Sequence, residues 1–419
     1  MGIKSLVILG VLFSNLCYAE LLTPEMVLKE AYKSNPALAA VKATANAEKE
    51  LVSSEYSLSS PRLGFMRETD MSFMQMENGP MKSWSISQEF LFPTKYFSKG
   101  NIQETKAKRS LHELRYKSLQ IRAESLSTYF KYYSAKRIQT LLFAQRETLR
   151  EIARIAETRR SAGSVPQQDE MKAHVEQTKI ENEILLQEQE LLEAQFALNA
   201  LLDRPTDAEV TIPKTEFSVV KDAKLSEEFN SINIESSHLL KGDKAAAEVA
   251  SLQKNLARMN YLPDFMLSYQ QTFGGNHPSS GRAIGIEMTI PLWFFSKETS
   301  EVAAAVSQEV AAKRRLDSQR RTLDATIQTL RSKVKTLSKL LEIYETALIP
   351  QATSTLNSSR SAYSAGKVGF QDLLDTERTL YSTRIEYYEN FSKYIEALTG
   401  LEREAGISVS NLPFLGEEI

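Results

Sequence analysis

The sequence of 419 residues is long enough for two ordinary domains or one elongated one. A quarter of the residues are charged and the formal net charge is only −2, so the chain lacks the basic footprint of a nucleic-acid partner. Glycine (16) and proline (13) are scarce while Ala, Leu, Glu, Lys, Arg, Gln and Ser abound, which is the composition of long helices.

Residues 1–19 read as a secretory signal peptide: Lys4, an apolar stretch from Leu6 to Phe13, and small Ala19 before Glu20. The one cysteine, Cys17, falls inside this leader. A lipid anchor there is the competing reading, but Leu16 is bulky where such anchors need a small neighbour. Removal of the leader leaves an exported chain without disulfides. Beyond residue 20 no apolar run approaches the roughly 20 residues of a transmembrane helix, so any span must be made of strands.

The remainder carries one plan twice. Pro61 and Pro263 open similar stretches 202 residues apart, and Pro93 and Pro291 close similar stretches 198 apart. Gly163, Val165 and Asp169 recur 203 residues later as Gly366, Val368 and Asp372. Landmarks in the same order at nearly constant offset indicate an internal duplication. The first copy is expected over 20–203 and the second over 234–419, joined by an irregular connector at 204–233. Each should read helix, strand, loop, strand, very long helix, Gly-containing turn, long helix.

The long helices show a heptad period. Leu323, Ile327, Leu330, Val334, Leu337, Leu341, Tyr344 and Leu348 are spaced alternately by 4 and 3 and predict an unbroken seam. Leu119, Ala123, Leu126, Phe130 and Tyr133 keep the same spacing in the first copy, and Ile184, Leu191 and Leu198 recur every seven. From Thr94 to Ala162 there is no proline and one glycine, so the expected helix is about 100 Å long. Such rods suit coiled-coil walls rather than a compact domain.

The strands alternate strictly. Trp84, Ile86, Phe90 and Phe92 oppose Ser85, Ser87 and Glu89. Ile284, Ile286, Met288 and Ile290 oppose Gly285, Glu287 and Thr289. A half-buried soluble strand alternates too, but here an aromatic cluster follows each hairpin: Phe90, Phe92, Tyr96 and Phe97, then Trp293, Phe294 and Phe295. Aromatic rings collect at membrane interfaces, and alternation over about ten residues is the pattern of an outer-membrane barrel strand. Pro93 and Pro291 mark the corners where strand gives way to helix. Four strands cannot close a barrel, and an open edge in lipid leaves backbone groups unpaired. Three copies in cyclic symmetry would supply twelve strands.

The stretch ALIPQATSTLNSSRSAYSAGKVGFQDLLDTERTLYSTRIEYYENFSKYIEALTGLEREAG (347–406) resembles the TolC-like outer-membrane efflux proteins, and the resemblance extends over essentially the whole chain after the leader. It implies a mainly α fold with transmembrane β: long coiled-coil helical hairpins and four strands per chain. The family assembly is a homotrimer with a 12-stranded barrel in the outer-membrane lipid above an α-helical tunnel. The implied partners are a periplasmic adaptor and an inner-membrane pump of RND or ABC type.

By the same resemblance the turns at Gly163 and Gly366 form the periplasmic entrance. Asp372 and Asp375, three apart and so on one helix face, match the family's aspartate pair at the narrowest point. Spacing alone favours a solvated polar face, and it is the resemblance that points to a gate. Six carboxylates from three chains would repel one another and favour cations. Tyr363 and Lys367 are candidates for hydrogen bonds to a neighbouring helix that close the tip, with Asp169 in a similar part in the first copy. Val368 stands where the family tends to have a basic residue. Glu89 and Glu287 are expected in the barrel lumen.

Four dispersed histidines (His112, His174, His238, His277) give no i, i+4 pair for zinc. Gly274–Arg282 lacks the ending of a phosphate loop and reads as an exposed hairpin loop. No cofactor and no catalytic group are expected. Five of eleven methionines lie between Met66 and Met81, and Met71, Met74 and Met76 could offer soft thioethers to Cu(I) or Ag(I) or simply pack beside Phe73. The expected function is a passive export duct. The alternative is a soluble periplasmic coiled-coil adaptor or scaffold, its hairpins forming a small water-soluble sheet.

Overall fold

The computed structural model describes residues 21–68, 81–161, 167–213, 217, 229, 231–273 and 281–413. The leader, Gly163 and the Met71, Met74 and Met76 cluster lie outside the described residues. The chain opens with two short helices, α1 (Pro24–Ser34) and α2 (Pro36–Glu55). Asn35 ends the first and caps the second, its side-chain oxygen accepting the amides of Ala37 and Leu38. Strands β1 (Arg62–Glu68) and β2 (Met81–Phe90) lead to α3 (Pro93–Ser161), 69 residues without a break. Helix α4 (Gln167–Leu201) returns along it.

The second half repeats the order with α5 (His238–Met259), β3 (Asp264–Phe273) and β4 (Gly281–Thr289), then α6 (Lys297–Ile343), α7 (Ile349–Ser364) and α8 (Phe370–Ala405). Here the expectation of one unbroken heptad seam is corrected. A π-helical turn, Tyr344–Leu348, separates α6 from α7. Pro350 at the start of α7 has no N–H to continue the regular ladder, and the extra residue of the π turn rotates α7 relative to α6. The seam holds from Leu323 to Tyr344, but Leu348 is 40% exposed. Pro291 is a smaller correction: Pro93 begins α3 directly, whereas a turn at 292–296 stands between Pro291 and α6.

The helices lie side by side. Towards the sheet their order is α2–α3–α5–α6, and away from it α4 and α8 flank α3, with α6 and α7 on the far side of α8. At the junction Phe130 meets Phe217 and Phe391 edge-on, and Tyr129, Tyr387 and Leu398 are buried around them. Arg122 and Glu402, both fully buried, pair at 2.5 Å, and Glu402 also accepts the amide of Val409, pinning the C-terminal segment to α3. A second cluster fills the far end: Leu149, Ile152 and Ala156 of α3, Ile180 of α4, and Phe370, Leu373 and Leu374 of α8.

The strands form one antiparallel sheet in the order β1–β2–β3–β4. Register places Leu63 opposite Ile86, Ile86 opposite Tyr269, and Tyr269 opposite Ile284, so one row of this mostly apolar face runs from edge to edge, with Gln88, Gln271 and Arg282 in the rows beside it. The opposite face carries Gly64, Ser85, Gln270 and Ala283 in one row and Ser87, Ser268 and Gly285 in another. Among the described residues no strand residue is buried. Leu63, Phe65, Ile284 and Ile286 are 75–79% exposed.

Candidate functional site

The sheet places Glu89, Met266 and Glu287 in one row on the polar face, towards the helix end of the sheet. Below it the corners are held by polar contacts. Asp264 accepts the Phe92 amide at 2.8 Å and pairs with Lys95 at 2.8 Å. The Tyr96 hydroxyl accepts the Leu91 amide, turning Tyr96 back onto the strand end. Phe97 is exposed, as are Trp293, Phe294 and Phe295 at the second corner.

The opposite end is the tip. Gly366 sits at φ +75°, the left-handed region that glycine adopts without strain, and its amide donates to the Tyr363 carbonyl. The Lys367 amide closes the turn on Ala362, and the Lys367 side chain is exposed. Asp372 and Asp375 share the exposed face of the first turns of α8. Each also has a local structural role. Asp372 accepts the Gly369 amide at 3.1 Å, satisfying a free donor at the helix start. Asp375 accepts from Gln371 at 3.0 Å and from Arg378 at 3.5 Å.

Tyr363 is buried between the helices of the tip. It packs against Phe370, and the Arg159 guanidinium lies 4.7 Å over its ring while donating to its carbonyl at 2.7 Å. Burial raises the Tyr363 hydroxyl pKa and nearby Asp169 adds to that, with Arg159 opposing. The tip thus brings together Arg159, Asp169 and Tyr363 from α3, α4 and α7. Arg160 pairs with Glu170 at 2.6 Å, and Arg378 with Glu176 at 2.6 Å, so each turn is tied across to a neighbouring helix.

Sequence reasoning missed Arg159, Arg378 and Glu377. Glu377 looks like one more charge in DTERT, yet it is 1% exposed. Burial pushes its carboxyl up to about 8; Gln145 and Arg378 oppose the shift while Glu176 and Glu183 reinforce it. The only advance signal was position: Glu377 lies seven residues after Phe370 and three before Leu380, on the buried stripe of α8. His112 and His238, distant in sequence, also meet, with Nδ1 atoms 3.4 Å apart. Burial holds His238 down at about 4. Among the described residues no third ligand joins them.

Residues 232–406 match the outer membrane efflux protein family. The chain is 23% identical over 287 residues to the cobalt-zinc-cadmium resistance protein CzcC of Cupriavidus metallidurans, covering 68% of each chain. The fold is similar to the outer membrane protein VceC of Vibrio cholerae, with TM-score 0.77 and 16% identity over 92% of this chain and 96% of that one. It is similar also to the outer membrane channel CmeC of Campylobacter jejuni, with TM-score 0.75 and 15% identity over 93% and 87%. These likenesses extend the expected fold, long helical hairpins bearing four strands, across both halves.

Proposed function

We propose that this chain is the outer-membrane duct of a tripartite export system, a homotrimer carrying cargo from periplasm to exterior without a catalytic step of its own. The observation that carries the reading is the sheet. A water-soluble four-stranded sheet hides one face in a core, but every described strand residue here is at least partly exposed, and an apolar row crosses all four strands. Lipid on that face and partner strands on both edges would satisfy it. This speaks against the soluble adaptor, which would need a core beneath its hairpins.

The trimer draws further support from the helices. Met171, Val175, Leu185, Leu192 and Phe196 form a second apolar heptad register on α4, 43–64% exposed. Ile343 and Leu348 are exposed on the far side of the layer, at the π turn. A ring of copies brings those two margins together. In it, the polar sheet face with Glu89 and Glu287 lines the lumen, and Asp372 and Asp375 ring the periplasmic entrance. An adaptor and an inner-membrane pump of RND or ABC type would open the tip by separating its helices. The likeness to CzcC makes divalent metal ions the first cargo to test.

Planar-bilayer recording tests the duct. The purified protein should conduct with cation preference, and Asp372→Asn with Asp375→Asn should reduce that preference several-fold. A protein that inserts yet never conducts, even with the tip pairs removed, would contradict the reading.

A further inference from the structure

The strand-to-helix corners hold two apolar features that a single chain leaves unmatched. One is a cavity of about 490 Å³ lined by Tyr56, Leu58, Phe90, Pro93, Phe97 and Phe265. Its walls are fixed. Tyr56 lies where a Cβ at Gly100 would overlap its ring, so the lone glycine of α3 makes the notch. The Tyr56 hydroxyl donates to Asn101 at 2.9 Å. Phe90 and Phe265 are a register pair on the apolar face. The other feature is a knot of three exposed rings, in which the Phe295 centroid lies 6.1 Å from that of Trp293 and 5.8 Å from that of Phe294. They are 54–69% exposed.

We propose that the Trp293–Phe295 knot of one copy seats in the Tyr56–Phe97 cavity of the next, locking the corners around the ring. The inference rests on the trimeric reading above and assigns to the neighbouring copy side chains that a lipid-interface role would leave in the membrane. Topology supplies the argument. The open edges are β1 and β4 in the sheet, and α2 and α6 in the helical layer nearest it. Direction alternates across both layers, so closure with identical copies sets β4 against β1 and α6 against α2. Trp293–Phe295 lies in the link from β4 to α6, and Tyr56 and Leu58 lie in the link from α2 to β1. Both links stand at the level where strands become helices, so closing the ring carries the knot to the mouth of the cavity. A cavity of this size falls within the roughly 300–1,000 Å³ that accepts a drug-sized apolar group.

The test pairs Leu58→Cys with Phe295→Cys in the full chain, whose one native cysteine is Cys17. A short bismaleimide applied to outer membranes should yield covalent dimers and trimers from the double variant and only monomer from either single one. In parallel, the two tryptophans report separately. With Trp293→Phe, Trp84 on the apolar face should be quenched strongly by brominated phospholipid. With Trp84→Phe, Trp293 should be quenched several-fold less. A trimeric particle with no cross-link, in which Trp293 is quenched as strongly as Trp84, would place the knot in lipid and overturn this proposal alone. A particle that is not oligomeric in the outer membrane would overturn the trimeric reading with it.

Discussion

At the sheet end the single chain leaves its apolar side chains bare: Ile284 and Ile286 are 76% and 77% exposed. At the tip Tyr363, Phe370, Leu373 and Leu374 are all within 3% of full burial. The tip is packed by contacts inside one chain, whereas the sheet leaves its apolar face uncovered by the same chain. The two ends therefore answer to different forces. In the proposed duct, assembly and membrane insertion would set the stability of the sheet, and a few cross-helix polar contacts would set the closure of the tip. A duct that must be permanent in the membrane yet open on demand at its entrance would divide its interactions in this way.

Substitutions at the two ends should act differently, and the largest effect belongs at the sheet. Ile286→Arg puts a charge on the apolar face, where the midplane cost is about 2–4 kcal/mol per chain. It should abolish the outer-membrane oligomer on native gels. Arginine at Gly285, on the other face, should instead leave assembly and alter conductance. Equal loss from both would mean the two faces do not differ in environment.

At the tip, the buried carboxyl of Glu377 gives a pH signature. Its native pKa of about 8 lies above the ordinary glutamate range. The folded chain therefore keeps a proton that the unfolded chain has released. Stability falls as pH rises from about 4.5, the glutamate range of the unfolded chain, to about 8, and then levels. Glu377→Gln should flatten that slope, raising thermal stability at pH 8 more than at pH 5. An unchanged slope would show that Glu377 is ionised in the native tip.

Smaller effects are expected along the same helices. Arg159→Ala removes the bond to the Tyr363 carbonyl and the guanidinium stacked on its ring, together on the order of 1–2 kcal/mol. It should raise single-channel open time with the trimer intact. Asp372→Ala loses both the charge and the Gly369 hydrogen bond, about 1 kcal/mol at the helix start. Asp372→Asn loses the charge and keeps an acceptor oxygen. Hydrogen exchange at the first turn of α8 should rise in the alanine variant only, while cation preference should fall in both.

What could be read from the sequence was local and periodic. Heptad spacing revealed the rods, the alternation at 284–290 revealed the strand faces, and Gly366 with Asp372 marked the second tip turn. What could not be read depended on partners distant in the chain. Arg159 in RRSAG shows no sign that it will stack on Tyr363, 204 residues later. Glu377 hides in a polar run because its burial comes from α3 and α4. The π turn was signalled only by Pro350, which an intact heptad count through Leu348 overrode. Edge-to-edge complementarity of the corners lay beyond any local pattern, since it appears only once sheet and helix orders are known.

The duct exists only if the four-stranded sheet is one third of a shared barrel. The decisive quantity is the detergent-corrected mass of the native particle after inner and outer membranes are separated. A shared barrel predicts three copies of the chain in the outer-membrane fraction. A monomer or dimer released with the soluble periplasmic fraction would contradict it.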